Sequence, residues 1–414
     1  MFRKLLTFDE AKALIQQTLQ PKPLGTQEIP LLDAYNRVLS QDAISNLDIP
    51  PFNRSTVDGY AVKAEDTFGA DENNPVKLKV CGFVAIGELP KITIQEGKAA
   101  EIVTGAPIPQ GANAVVMVED TNREGATLTI YSSATPNENV QKKGSDIKNG
   151  ETILKAGRAL GSREIGVLAA FGKAKVTVFL VPTAAVVSTG GEIIEPGKKL
   201  LPGKIYDINA YSLCTAVREC GGKPIYAGVV PDEKKQLRKE LDKALASADI
   251  LLTSGGVSVG PKDLIPQTVD SLGKPGVFIS GIAVKPGKPA TVALIGKKPV
   301  FSFPGHPTSA LMIFHLLARP VIQVMAGKPA KDMPSVKAYA AGRMFSAKGR
   351  RTFVTVTLSM NEKSKHLVAE AVETGASGAI TTLAKADGFL EIPENEQFVD
   401  AGEEVTVWLL KESL

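Results

Sequence analysis

The alternation of apolar runs and helical patterns between residues 178 and 330 constrains this chain more than any other feature. Two runs stop in the same way: VVSTGG at residues 186–191 and LLTSGG at residues 251–256. Between them stand NAYSLCTAVRECGG, a helical pattern with a glycine stop, the short run KPIYAGVV, and PDEKKQLRKELDKALASA. The last is a charged helix for which Asp232 is the expected N-cap. Strands alternating with helices predict right-handed βαβ units and a parallel, doubly wound sheet. The carboxyl ends of parallel strands share one edge, and open α/β sheets bind ligands there. The two glycine endings are therefore predicted to lie on one ligand-binding edge.

The remaining patterns predict additional domains, since 414 residues exceed one ordinary core. Residues 1–47 read as helix and turn. Phe8, Ala11, Leu14, Ile15 and Leu19 follow a helical period, and Thr7 with Glu10 fits a capping box. From about residue 48 the texture becomes short β-like runs, VKLKVCGFVAIG and KAAEIVTGAPIP, broken by Gly and Pro. SREIGVLAAFG reads as a short helix with Ser162 as its N-cap. The tail from about residue 331 is strand-like again (RTFVTVTL, EEVTVWLL) and predicts a small β-barrel or sandwich. The most apolar helix, residues 308–327, is interrupted by Arg319 and Pro320 and is too short to span a bilayer, so it is expected in a core.

Several function classes are disfavoured. A net charge of +4 without a long Lys/Arg block gives no nucleic-acid footprint. Cys81, Cys214 and Cys220 form no CxxC pair, which argues for a reducing compartment and against a disulfide frame or zinc site. The N-terminus lacks a signal-peptide pattern. The chain is expected to be cytoplasmic, with no membrane or nucleic-acid partner.

The chemistry-bearing stretches are rich in glycine and hydroxyls. In TSGGVSVGPKD, Gly255 and Gly256 leave backbone N–H groups uncovered, Ser254 and Ser258 add donors, and Asp263 could hold Mg²⁺ against phosphate oxygens. The alternative is a tight βα turn. In STGGEIIEPG, Glu192 could position water or a metal, or be a solvated loop acid. In AVKPGKPATVALI, the Pro-Gly turn aims Lys285 and Lys288, either at an anion or simply at solvent. In FSFPGHPTSALMIF, Thr308 or Ser309 can cap a helix, and His306 is a general-base candidate without an evident partner. PPFNRSTVDGYAV, with Asp58, and EIVTGAPIPQGANAVV, with Thr104 at a strand end, carry no compelling chemistry alone.

Taken together and in this order, these stretches resemble the molybdopterin molybdenumtransferase family (MoeA and the E domain of gephyrin). The resemblance runs from about residue 5 to the C-terminus. It implies a multidomain α/β plus β fold with a central MogA-like domain. The implied domains are a discontinuous helical/linker domain (1–47 and 140–177), an inserted β-rich domain (48–139), an α/β molybdopterin-binding domain (178–330) and a C-terminal β-barrel (331–414). It implies a homodimer whose active site combines the α/β domain of one subunit with the inserted and C-terminal domains of the other. The implied reaction inserts molybdate into adenylylated molybdopterin, assisted by Mg²⁺, and releases AMP. The molybdopterin adenylyltransferase and apo-molybdoenzymes are the implied protein partners.

Carried over residue by residue, the resemblance gives Asp58, Glu192, Asp232 and Asp263 catalytic roles, with Glu192 and Asp263 on the metal. Thr104, Ser254, Gly255, Gly256, Ser258, Lys285, Lys288, Arg350 and Ser377 are implied to bind substrate. Two departures stand out: Gly191 replaces a family aspartate, and Gly281 stands where many members carry lysine. They leave open a paralogue that prefers tungstate, or a non-catalytic gephyrin-like scaffold. A nicotinamide-nucleotide amidase relative fits the α/β region but not the order of motifs over the whole chain.

Overall fold

The predicted α/β region assembles around a six-stranded sheet. The computed structural model describes residues 5–256, 264–329, 333–363, 365–372 and 380–410. It divides into two compact units, one of residues 30–35 and 41–176, the other of residues 1–29, 36–40 and 177–414.

In the larger unit, α1 is Phe8–Leu19, β1 Thr183–Thr189, α2 Asn209–Glu219, β2 Lys223–Val230, α3 Lys234–Ser247 and β3 Ile250–Ser254. There follow α4 Leu264–Asp270, β4 Pro275–Ser280, β5 Thr291–Ile295 and β6 Lys298–Phe303. The sheet order is β2-β1-β3-β6-β5-β4. The first four strands run parallel, while β5 and β4 pair antiparallel, so the sheet is mixed rather than wholly parallel. A short turn at Gly296 and Lys297 joins β5 to β6 as a hairpin, which has no room for a crossover helix.

Side-chain alternation makes the sheet two-sided. Ala184 and Val186 of β1 enter a core with α1 and α2, while Ala185 and Val187 pack with Leu237 and Leu241 of α3 and Ile265 of α4. Buried on both faces, such strands need the near-continuous apolar runs that the sequence shows.

After β6, the helix α5 Pro307–Ile313 opens into a π-helical turn at Phe314–Ala318 and continues as α6 Arg319–Met325. Pro320 lacks an N–H and its ring crowds the preceding turn, so the helix widens there instead of ending. About two-thirds of the residues of an 18-residue stretch of this rod are buried, as in a core helix.

Several expected caps differ. The Thr7–Glu10 capping box is present. Asp232 does not cap α3; Glu233 occupies that position without a side-chain bond. Ser162 is already helical, and Glu164 accepts the N–H of Gly161 instead. Neither Thr308 nor Ser309 caps α5: Pro307 opens it, a first position where a missing N–H costs nothing.

The C-terminal strands are β7 Ser335–Ala340, β8 Arg351–Met360, β9 Leu367–Ala371, β10 Gly388–Ile392 and β11 Glu404–Leu409. They close as β8-β9-β7-β11-β10 and back to β8, a five-stranded barrel. Val356, Ala369, Leu390 and Val407 fill it. Closure leaves the barrel no unpaired edge.

The smaller unit carries its own six-stranded sheet, in the order 114–117, 59–62, 98–102, 76–84, 127–130, 121–124. Tyr60 and Val62 face one core and Ala61 the other, so both sheet faces are covered.

Candidate functional site

The sheet register lines up the carboxyl ends of three parallel strands. Ser188 of β1 stands beside Ser254 of β3, and Ser254 beside Phe303 of β6. β1 continues to β2 on one side and β3 lies on the other, so the β1–β3 boundary is the switch point of the sheet. A cleft of about 1610 Å³ opens there.

Glycine is required at the strand ends. Gly255 has φ of +94°, and a Cβ would collide with the carbonyl of Thr189. Only glycine lets the end of β3 pass the end of β1. The expectation of a free anion nest is not met at this residue, because the Gly255 N–H donates to the Phe303 carbonyl at 3.2 Å. Gly255 nevertheless lines the cleft, with Ser254.

The floor of the cleft contains polar residues that motif reading missed. Asp207, 3% exposed, accepts from the Ser188 hydroxyl at 2.9 Å and from the Ala210 N–H at 3.0 Å. It thereby satisfies an orphan donor in the first turn of α2. Asn209 Nδ2 donates to Ser254 Oγ and to the Gly305 carbonyl, both at 2.7 Å. Thr189 Oγ1 and Asn209 Oδ1 are buried without a hydrogen-bond partner, and both residues line the cleft. The available signal was IYDINA: an aspartate immediately before a helical pattern.

Cations line the same cleft. Lys285 and Lys288 project from the Pro-Gly turn, and Arg350 precedes β8. Backbone pairing links the two groups: Val284 and Lys285 form a short parallel ladder with Arg351 and Thr352. Lys204 Nζ also lines the cleft and donates to the Gly191 carbonyl. His306 lines the cleft at the cap position of α5.

Carboxylates gather at the β1 end. Glu192 lines the cleft, and Asp232 lies close enough to feel its charge and the Gly191 N–H. Asp232 remains solvent-accessible, yet its pKa is pushed above the ordinary range, first by protein crowding around the carboxyl and then by the charge of Glu192. Among the described residues no group of three or more His, Cys, Asp or Glu is placed to hold a metal.

The structure thus brings Glu192, Ser254, Gly255, Lys285, Lys288 and Arg350 to one cleft. Gly256, with φ of +60°, is close to Thr189 and Asp232. Asp58 and Thr104 are together in the smaller unit. Thr104 donates its N–H and hydroxyl to Asp58 Oδ1 at 2.6 and 2.9 Å, and these bonds hold the Asp58 carboxyl below its ordinary pKa. Ser258, Asp263 and Ser377 lie outside the described residues. All three cysteines are free thiols, and burial raises Cys214 to about 11 and Cys220 to about 12, which keeps both unreactive.

Gly191 and Gly281 differ in kind. A Cβ on Gly191 meets open space, with φ outside the left-handed region. Gly281 has φ of +87°, and a Cβ there falls 2.7 Å from Leu5. The first backbone accepts the family aspartate; the second has adapted to glycine.

Comparison with known proteins accounts for nearly the whole chain. Residues 6–172 match the MoeA N-terminal region (domain I and II), 185–324 a probable molybdopterin binding domain, and 337–410 the MoeA C-terminal region (domain IV). The chain is similar to molybdopterin molybdenumtransferase 2 of Mycobacterium tuberculosis, 35% identical over 92% of this chain and 94% of that protein. It is 34% identical to the molybdopterin molybdenumtransferase of a Nostoc species over 94% of this chain and 90% of the relative. A solved molybdopterin biosynthesis MoeA protein from Pyrococcus horikosii superposes with a TM-score of 0.87 at 42% identity, covering 99% of this chain and all of that one. With the switch-point cleft and the closed barrel, these likenesses show that the chain belongs to the MoeA family of molybdopterin molybdenumtransferases.

Proposed function

We propose that the chain acts as a transferase of molybdenum cofactor biosynthesis, inserting molybdate into adenylylated molybdopterin with release of AMP. The observation that carries this reading is that Lys285, Lys288 and Arg350 line one cleft together with the hydroxyl-bearing strand ends at Ser188 and Ser254. Molybdate and the pterin phosphates are anions. Fixed cations lower the cost of gathering their charge and stabilise what develops as the phosphoanhydride breaks.

Within this reading each wall has a task. Lys285, Lys288 and Arg350 bind and orient the oxyanion. Ser188 and Ser254, held by Asp207 and Asn209, give a pre-set hydroxyl row for the polar parts of the pterin. Asp58 and Thr104 of the smaller unit, and Ser258 and Ser377, are retained as substrate contacts. Mg²⁺ fits the donor set at the β1 end. Protein crowding first and the charge of Glu192 second raise the pKa of Asp232, and among the described residues no base forms an ion pair with either carboxylate; a cation would relieve the repulsion between the two. Glu192 and Asp232 would hold it, with Asp263 as a third ligand. Bound there, Mg²⁺ supplies charge neutralisation at the phosphoanhydride. The reading includes a cytoplasmic homodimer.

The test is turnover. Purified protein is incubated with adenylylated molybdopterin, Mg²⁺ and either molybdate or tungstate, and AMP release and activation of an apo-molybdoenzyme are followed. Molybdate-dependent AMP release is expected. Substrate binding without AMP release under either oxyanion would overturn the enzymatic reading in favour of a scaffold.

A further inference from the structure

Arg351 opens β8 directly after Arg350, yet it does not line the cleft. Arg350 and Thr352 on either side both line it. The Arg351 side chain is only 13% exposed and meets three carboxylates. Its two terminal nitrogens donate to Asp9 Oδ1 and Oδ2, both at 2.8 Å. Nε donates to Glu394 Oε2 at 2.8 Å, and Nη1 pairs with Glu391 at 3.2 Å. The guanidinium also lies 5.4 Å from the centroid of the Phe8 ring.

Backbone bonds close this contact into a circuit. The Ala283 N–H donates to the Leu6 carbonyl at 2.8 Å, and the Arg351 N–H donates to the Ala283 carbonyl at 3.0 Å. From Leu6 the chain needs only three residues to reach Asp9, through the capping box that fixes the first turn of α1. Asp9 then returns to Arg351 through the fork. The segment leading into Lys285 is therefore held from both sides, by the N-terminal segment and by the start of β8. A bidentate fork fixes orientation as well as distance, which a lysine cannot do.

We propose that Arg351 is a positioning residue: its fork to Asp9 locks α1, residues 282–285 and the start of β8 into one frame that sets Lys285 relative to Arg350. The inference rests on the reading of the cleft as an oxyanion site. Arg351 itself touches no substrate. Loosening the frame lets the two cations drift apart, so that they no longer meet one oxyanion together, and a weakened charge-assisted contact lowers affinity.

The test uses Asp9→Asn, at an exposed position, and Arg351→Lys in the full chain. Amide hydrogen exchange over residues 282–286 and 350–352 is measured without ligand, molybdate affinity by calorimetry, and turnover by AMP release. Both variants should speed exchange in both segments and weaken molybdate binding, Arg351→Lys by about tenfold, the equivalent of one charge-assisted contact. KM for molybdate should rise in step while kcat stays within about twofold. Asp9→Asn should add little in the Arg351→Lys background, because the two residues act as one unit. Unchanged exchange and molybdate affinity, with only the melting temperature lowered, would overturn the proposal. If wild-type protein binds molybdate but releases no AMP, the enzymatic reading fails while exchange and affinity still decide the frame.

Discussion

Restoring the two family charges should have opposite outcomes, because the two glycines sit in different backbones. Gly281→Lys puts a side chain where φ is +87° and where its Cβ falls 2.7 Å from Leu5. The left-handed conformation costs a non-glycine residue about 1–2 kcal/mol. The atom it meets is the end of the Leu5 side chain, which can give way, so no backbone clash adds to that cost. The expected loss is about 2 kcal/mol, or roughly 4 °C in Tm for a unit of this size. Gly191→Asp meets open space with an ordinary φ. A gain of about 0.4–1 kcal/mol from restricting the unfolded chain is offset by repulsion from Glu192 and Asp232. Its Tm should stay within about 2 °C of wild type. Differential scanning calorimetry of the two single variants in the same buffer decides the matter. Equal Tm shifts in the two, or an unchanged Tm for Gly281→Lys, would refute the claim that one loop has adapted to glycine and the other has not.

Lys285→Ala should weaken molybdate binding by about tenfold, ~1.4 kcal/mol, with a shallower salt dependence; equal affinity at physiological salt would remove Lys285 from the site. His315 is buried in the π-helical turn, its Nδ1 lacks a partner, and burial lowers its pKa to about 4 from an ordinary 6.5. Between those values the unfolded chain takes up a proton that the folded one refuses, so stability should fall as pH drops from 6.5 towards 4, by up to about 3 kcal/mol. His315→Leu should abolish that slope, and parallel Tm–pH curves for the two proteins would refute it.

The local elements were legible where neighbouring residues dictate them. The Thr7–Glu10 capping box, the glycine stop after α2 and the strand endings at STGG and TSGG each depend on a few adjacent side chains. The caps that failed were decided by competition. Asp232 could cap α3, but it lies in the field of Glu192 and the Gly191 N–H at the neighbouring strand end, and Glu233 takes the cap position. Likewise Gly255, uncovered by any side chain of its own, gives its N–H to β6. Both partners are remote in sequence.

What the sequence by itself determined is the α/β alternation, the ligand-binding edge and the supply of cations in KPGK. Period and glycine placement are local consequences of backbone sterics, and an edge follows from strand direction. Tertiary structure alone decided the mixed sheet, the buried Asp207 and Asn209 beneath the hydroxyl row, and the pairing of Lys285 with β8. It also decided that Asp9 closes a frame with Arg351. Apart from the antiparallel pairings of β5, these contacts join residues from 19 to 342 positions apart, and their energies depend on burial and mutual geometry that no local pattern encodes.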